Sequence, residues 1–292
     1  MAIVVSALSQ GLLWSVLAIG VYLSYRFLNI SDLTSEGSFT LGAAVCASNI
    51  VRGTDPLLSC LLALIAGALA GLVTGVLHTK FKMPSLLAGI LSMTGLYSVN
   101  LRIMGKANIH LTQSVTLLTK LKNVLGLTRD RDRDAAIYLG LIVIVILIVL
   151  LVWFFNTEFG FSVVATGNND KMIRANGVDS DKTIIAGLML SNALIALSGS
   201  LVAQYNGYAD VTMGIGAIVV GLASVIIGEV LFKDKYFAVC LIGVVVGSII
   251  YRLIVTFVVN TNFISANDMK LFTAIVVAVA IIIANKGGKK RV

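Results

Sequence analysis

Apolar residues in this chain come in long unbroken runs. Residues 137–155 read IYLGLIVIVILIVLLVWFF and residues 184–203 read IIAGLMLSNALIALSGSLVA, neither with a charge. Runs approaching or exceeding about 18 apolar residues read as membrane-spanning helices. The pattern predicts apolar segments at about 5–25, 37–51, 57–79, 84–104, 135–155, 183–203, 211–231, 236–257 and 271–285. None alternates in the way a membrane β-barrel strand would. The expected fold is therefore an all-α polytopic membrane protein with 8–9 transmembrane or re-entrant helices, one unit over residues 1–292. The second segment is short and starts from the polar run NISDLTSEGS, and the seventh, MGIGAIVVGLASVIIGEVLF, is rich in glycine. Both are expected to be broken or re-entrant, because irregular backbone at membrane depth must be buried in protein or line a wet cavity.

Between two of the cleanest spans lies a polar island, residues 156–182, NTEFGFSVVATGNNDKMIRANGVDSDK. Gly167 is expected to break the incoming chain, with Asn168, Asn169 and Asp170 as N-cap or first-turn residues. A short helix then runs over Lys171, Met172, Ile173, Arg174, Ala175 and Asn176, and Gly177 fits the left-handed position that ends it. Lys171 and Arg174 share a face, while Met172, Ile173 and Ala175 supply a small apolar patch. Two turns are too few to be stable alone, so this helix needs a neighbour. It either rests on lipid headgroups or docks in a groove of a soluble partner.

Composition agrees with a membrane protein: 58% of the 292 residues are hydrophobic and 12% charged, with mean hydropathy +0.98. The net charge of +8 would suggest nucleic acid for a soluble chain. Here the basic residues sit mostly at span ends, where lipid headgroups and membrane orientation account for them, and no nucleic-acid partner is expected. The first apolar stretch has no positive charge before it and Arg26 after it. It lacks the usual form of a cleavable signal, and the N-terminus is expected outside. With the island inside, twelve of the 22 basic residues lie inside, including Lys80, Lys82, Lys233, Lys235 and the tail KGGKKRV, so the C-terminus is inside too. Six of the other ten fall in the expected external loop, residues 105–134. In that loop Val115, Leu118, Leu121 and Leu125 form an apolar stripe that fits a helix lying on the outer surface. It would pack at the interface or dock a binding protein.

Gly67, Gly71 and Gly75, with Ala63 a turn earlier, and Gly243 with Gly247 place small residues where helix backbones approach closely, within one chain or between two. Cys46, Cys60 and Cys240 are far apart in sequence and read as packing residues, and His78 and His110 have no metal-ligand spacing. Asp32 and Glu36 stand four apart beside a span. They read as a wet segment near an interface or as lining of a translocation path. Ser92, Thr94, Tyr97 and Asn100 put a polar stripe on the fourth span, and Ser191, Asn192 and Ser198 do so on the sixth. Such groups bond to neighbouring helices or line a path. Glu229 is expected to pair with Lys233 one turn later, or to contact a partner.

The string VVATGNNDKMIRANGV, followed by SNALIALSGSL, resembles the permease subunits of bacterial ABC importers of the branched-chain amino acid and ribose type. NISDLTSEGSFTLGAAV resembles their early broken segment, although Asp32 and Glu36 depart from its more neutral run and point away from a branched-chain substrate. MPSLLAGILSMTGLYSVNLRIMG and GLASVIIGEVLF look like a subgroup linked to tryptophan and tyrosine uptake. The resemblance implies that residues 168–177 are the cytoplasmic coupling helix. It also implies a second permease copy, two cytoplasmic ATPases carrying ATP and Mg, and an extracytoplasmic substrate-binding protein. The chain has no G-x-x-x-x-G-K-[ST] phosphate loop, so no cofactor is expected in it and hydrolysis falls to the partner. An autonomous ion-coupled transporter or channel working through Asp32 or Glu36 is the alternative. An intramembrane enzyme is disfavoured, since no nucleophile–base pair is visible.

Overall fold

The computed structural model describes residues 2–112, 114–126, 132–232, 236–260, 271, 273–275, 277 and 278. Helix α1 (Ala2–Tyr22) continues into a π-helical turn (Leu23–Phe27) and is followed by α2 (Thr34–Val51), α3 (Pro56–Thr79) and α4 (Ser85–Met104). After strand β1 (Asn108–His110) come α5 (Leu117–Leu125), α6 (Asp132–Phe155), α7 (Glu158–Asn168), α8 (Asp170–Ala175) and α9 (Ser180–Asn206). Strand β2 (Tyr208–Asp210), α10 (Ala217–Leu231) and α11 (Phe237–Asn260) complete the elements. Among the described residues six helices are long and apolar enough to cross a membrane: Ile3–Phe27, Pro56–Thr79, Ser85–Met104, Arg133–Phe155, Ser180–Asn206 and Phe237–Val259. Over the second segment α2 is one unbroken helix of 18 residues, and over the seventh α10 covers only Ala217–Leu231. The ninth segment, 271–285, lies mostly outside the described residues, and within it Val277 is buried beside Ala223, Tyr251 and Val255.

The fold is not purely helical. Strands β1 and β2 form an antiparallel ribbon that pairs Asn108 with Asp210, Ile109 with Ala209 and His110 with Tyr208. Both strands follow glycines in the left-handed region, Gly105 and Gly207, which end α4 and α9. Polar backbone leaving two spans at the same end satisfies its donors and acceptors by pairing.

Helix α9 is the centre of the bundle, with α1, α2, α3 and α7 packed around it. Small residues allow this. A methyl group at Gly71 would strike the Leu188 carbonyl, one at Gly67 would strike Ala196 and the Asn192 carbonyl, and one at Gly199 would strike the Phe39 carbonyl. The α3 glycine row therefore serves contact within the chain. Gly247 does the same for α11 against Ser224 and Gly228 of α10.

Polar contacts sort the loops into two ends. At one end Arg26 pairs with Glu229 (3.1 Å) and Lys80 with Asp181 (3.0 Å), beside α7 and α8. At the other end Lys120 of α5 pairs with Asp55, and the β1–β2 ribbon forms.

Candidate functional site

At the first end the polar island folds into two helices rather than one. Thr157 caps α7 by accepting from Gly160 N (3.2 Å). Gly167 does not break this helix; it lets α7 lie against the Phe27 carbonyl, which a Cβ would overlap. Asn168 is the last residue of α7. The break comes at Asn169, whose backbone is extended and whose Oδ1 accepts from Met172 N (3.0 Å), capping α8. After α8, Gly177 takes the left-handed conformation (φ +83°).

Of the six α8 residues only Ile173 is buried, at 8% exposure, whereas Met172 is 50% exposed. Lys171, Ala175 and Asn176 are also exposed. Arg174 faces its own chain, donating from Nε to Asp170 (3.1 Å) and from Nη2 to Asp181 (2.7 Å). Asp181 also accepts from Lys80 Nζ (3.0 Å), so one carboxylate ties α8, the start of α9 and the end of α3 together. The Ser180 hydroxyl, followed by Arg174, holds the Asp170 carboxyl below the usual carboxylate range. Thr166 and Thr183 join α7 to α9 by hydroxyls 2.8 Å apart. Lys171 and Met172 thus face outward on a helix fixed from behind. Asp181 and Lys80 were missed as site residues, because their pairing spans 101 positions. Glu229 meets Arg26 of the π-turn, while Lys233 lies outside the described residues. At the end of that turn Phe27 makes ring contacts with Tyr22, Phe155 and Phe237 at 4.8–5.3 Å.

Within the bundle the six translocation-path candidates divide. Asp32 is 2% exposed and precedes α2, so it shares no helix face with Glu36. Its Oδ2 accepts from Asn192 Nδ2 (2.6 Å) and its Oδ1 from Thr34 N (2.9 Å). Asn192 Oδ1 accepts from Ser38 (2.7 Å). Beside this lies a chain of hydroxyls, Thr34 to Thr74 and Thr74 to Ser92, each 2.8 Å. Asp32, Asn192 and Ser92 therefore belong to a buried hydrogen-bonded network joining α2, α3, α4 and α9.

Glu36, Tyr97 and Asn100 instead line one cavity of about 370 Å³, with Thr94, Met93 and Ile215. Glu36 Oε1 accepts from Gly216 N (2.9 Å) in the turn before α10. Asn100 donates to the Gly37 carbonyl (3.2 Å), and its Oδ1 has no partner. Tyr97 is 51% exposed and Thr94 is exposed, so the outer face of α4 carries polar groups at mid-span. Two distant cysteines also meet: Gln204 Nε2 lies 3.3 Å from Cys46 Sγ and 3.1 Å from Cys60 Sγ. Among the described residues no three His, Cys, Asp or Glu side chains are grouped as metal ligands.

Residues 3–284 match the family described as "Branched-chain amino acid transport system / permease component". A tyrosine transport system permease protein of Clostridioides difficile (strain R20291) is 42% identical over 274 residues, 94% of this chain and 88% of the relative. An uncharacterized protein of Rickettsia prowazekii (strain Madrid E) is 35% identical over 235 residues, 80% of each chain. The solved structure of PsaBC from Streptococcus pneumoniae in complex with Fab covers 96% of this chain and 89% of its own, with a TM-score of 0.52. At 14% identity that likeness is one of fold.

Proposed function

We infer the role of this chain from one premise: it belongs to the branched-chain amino acid transport system permease family. It is a multi-pass membrane protein and a permease component, so it moves a solute and does not carry out catalysis. Within that family we propose the membrane subunit of an ATP-driven importer of aromatic amino acids. The tyrosine permease relative supports this solute class.

The observation that carries the reading is α8. It stands out from the bundle with Lys171 and Met172 exposed, fixed from behind by Asn169, Arg174, Asp181 and Lys80. A short helix held rigid with its outer face bare suits docking into a groove of a soluble ATPase. Closure of two ATPases on ATP would then bias the bundle between two states, provided α8 contacts them unequally in each. A second permease copy would cover the outer face of α4, where Tyr97 is 51% exposed. An extracytoplasmic binding protein would deliver the solute at the opposite end, where the ribbon and α5 lie.

The test changes the bare face and leaves the ion pairs alone. Lys171→Asp with Met172→Asp is expected to lower ATPase co-purification and ATP-dependent tyrosine uptake by at least tenfold, with the permease still folded. Unchanged uptake and intact co-purification would remove α8 from its role. The second reading, ion-coupled transport, draws on the Glu36 carboxylate in its cavity. It requires tyrosine uptake by the purified chain alone under an ion gradient.

A further inference from the structure

Arg252 is a guanidinium inside a span with no acid to balance it among the described residues. It lies eight residues before the end of α11, about 12 Å along the helix axis. Its Nη1 reaches Gln10 Oε1 of α1 at 3.4 Å, and the guanidinium carbon stands 4.0 Å from the Trp14 ring centroid. Its Nε is buried and has no partner. No described Asp or Glu pairs with it. An amide and an indole face do not neutralise a charge at membrane depth, where ionisable groups are retained for a function.

A cavity of about 380 Å³ opens beside this side chain, lined by Trp14, Tyr251, Arg252 and the residues that begin α10, Gly216 and Ala217 among them. Gly216 is the N-cap of α10, and its N–H is already bonded to the Glu36 carboxylate (2.9 Å), so the guanidinium is the donor left over for this space. A buried guanidinium with an unpartnered Nε beside an open cavity is an anion-binding group. On the other side of the same turn, Glu36 accepts from Gly216 N and lines the neighbouring cavity, with Ile215 common to both. Opposite charges flanking one turn suit a zwitterion better than a plain anion.

We propose that the Arg252 cavity is a carboxylate subsite, and that it takes the carboxylate of the imported amino acid. The anion site stands on the geometry alone; the identity of the carboxylate rests on the importer reading above.

The sequence contains two tryptophans, Trp14 and Trp153. Trp153 is 69% exposed on the outside of α6, so Trp153→Phe leaves Trp14 as a reporter next to the site. The full-length variant is placed in phosphatidylcholine nanodiscs and titrated with L-tyrosine, tyramine, sodium acetate and sodium chloride, with Trp emission excited at its red edge. L-Tyrosine and acetate are expected to shift the emission, and tyramine, which lacks the carboxylate, is not. Adding Arg252→Gln is expected to weaken the response by about 10- to 100-fold, the range of a charge-assisted hydrogen bond. Arg252→Lys should retain part of it, and both should keep the parent's size-exclusion profile.

Equal responses to tyramine and L-tyrosine, a response to chloride alone, or none in the folded reporter would overturn the proposal. So would a response that appears only when phosphatidylglycerol is included, which would make the anion a lipid headgroup. A response that emerges only in Asp268→Asn would overturn it too, by identifying that residue, outside the described set, as the counter-ion. Acetate binding without tyrosine uptake would keep the subsite and remove the importer reading. ATP-driven tyrosine uptake with an unchanged KM in Arg252→Gln would do the reverse.

Discussion

Asp32 shows what a single buried side chain holds together. Its two oxygens satisfy an Asn192 amide proton and the Thr34 N–H, so the start of α2 is pinned to the middle of α9. Asp32→Ala leaves both donors buried against carbon, which costs about 1–3 kcal/mol. Thermal unfolding in detergent should show a clear fall in Tm, and an unchanged Tm would mean that the carboxylate does not hold α2 in place. The sequence shows Asp32 as polar and beside a span but not what it faces. Its four-residue spacing to Glu36 looks like one helix face only if the helix has already begun. It begins at Thr34, so the two carboxylates diverge, one into the buried network and one to the Gly216 turn. Arg252 was legible only as one more basic residue near an outer span end. Its relation to Trp14 joins positions 238 apart, which no local pattern carries.

Helix α8 is the element whose outline was most legible, because caps are local. Asn169 and Gly177 act through backbone within three residues of themselves, and composition alone pointed to both. Gly167 was misread for the complementary reason: a glycine near a helix end resembles a breaker, and only the neighbouring Phe27 carbonyl shows it to be a close-approach site. Likewise Arg174 looked available to a partner, and its ties to Asp170 and Asp181 emerged with the fold. Those ties make α8 sensitive to acid. The Asp170 carboxyl is held below the usual range by Ser180 and Arg174. A depressed folded-state pKa contributes stability that is complete above the ordinary Asp value, about 3.9, and is lost as pH falls through the folded value. Protection factors of amides in residues 170–177, measured against the intrinsic exchange rate at each pH, should therefore fall as pH drops below about 4, and in Asp170→Asn that extra loss should be largely absent. Equal pH dependence in both proteins would show that the Asp170 pair does not order the helix.

Across the whole molecule the two ends carry different elements. Lys80 and α8 share one end, Lys120 and the ribbon the other. If residues 156–182 face the cytoplasm, Lys120→Cys should react with an impermeant maleimide added outside intact cells, and Lys80→Cys only after the membrane is opened. Reversed labelling would invert the orientation, and labelling of both from one side would contradict the fold. The centrality of α9 has a mechanical consequence. It begins three residues after Gly177 and ends at Gly207, just before β2 and the turn that holds Glu36 and borders the Arg252 cavity. Its 27 residues make a rod of about 40 Å, and glycine-to-carbonyl contacts clamp its flanks so that it has little room to buckle. A load applied at the α8 end would therefore pass to the ribbon end through one stiff rod, carrying the helices clamped to it along with it.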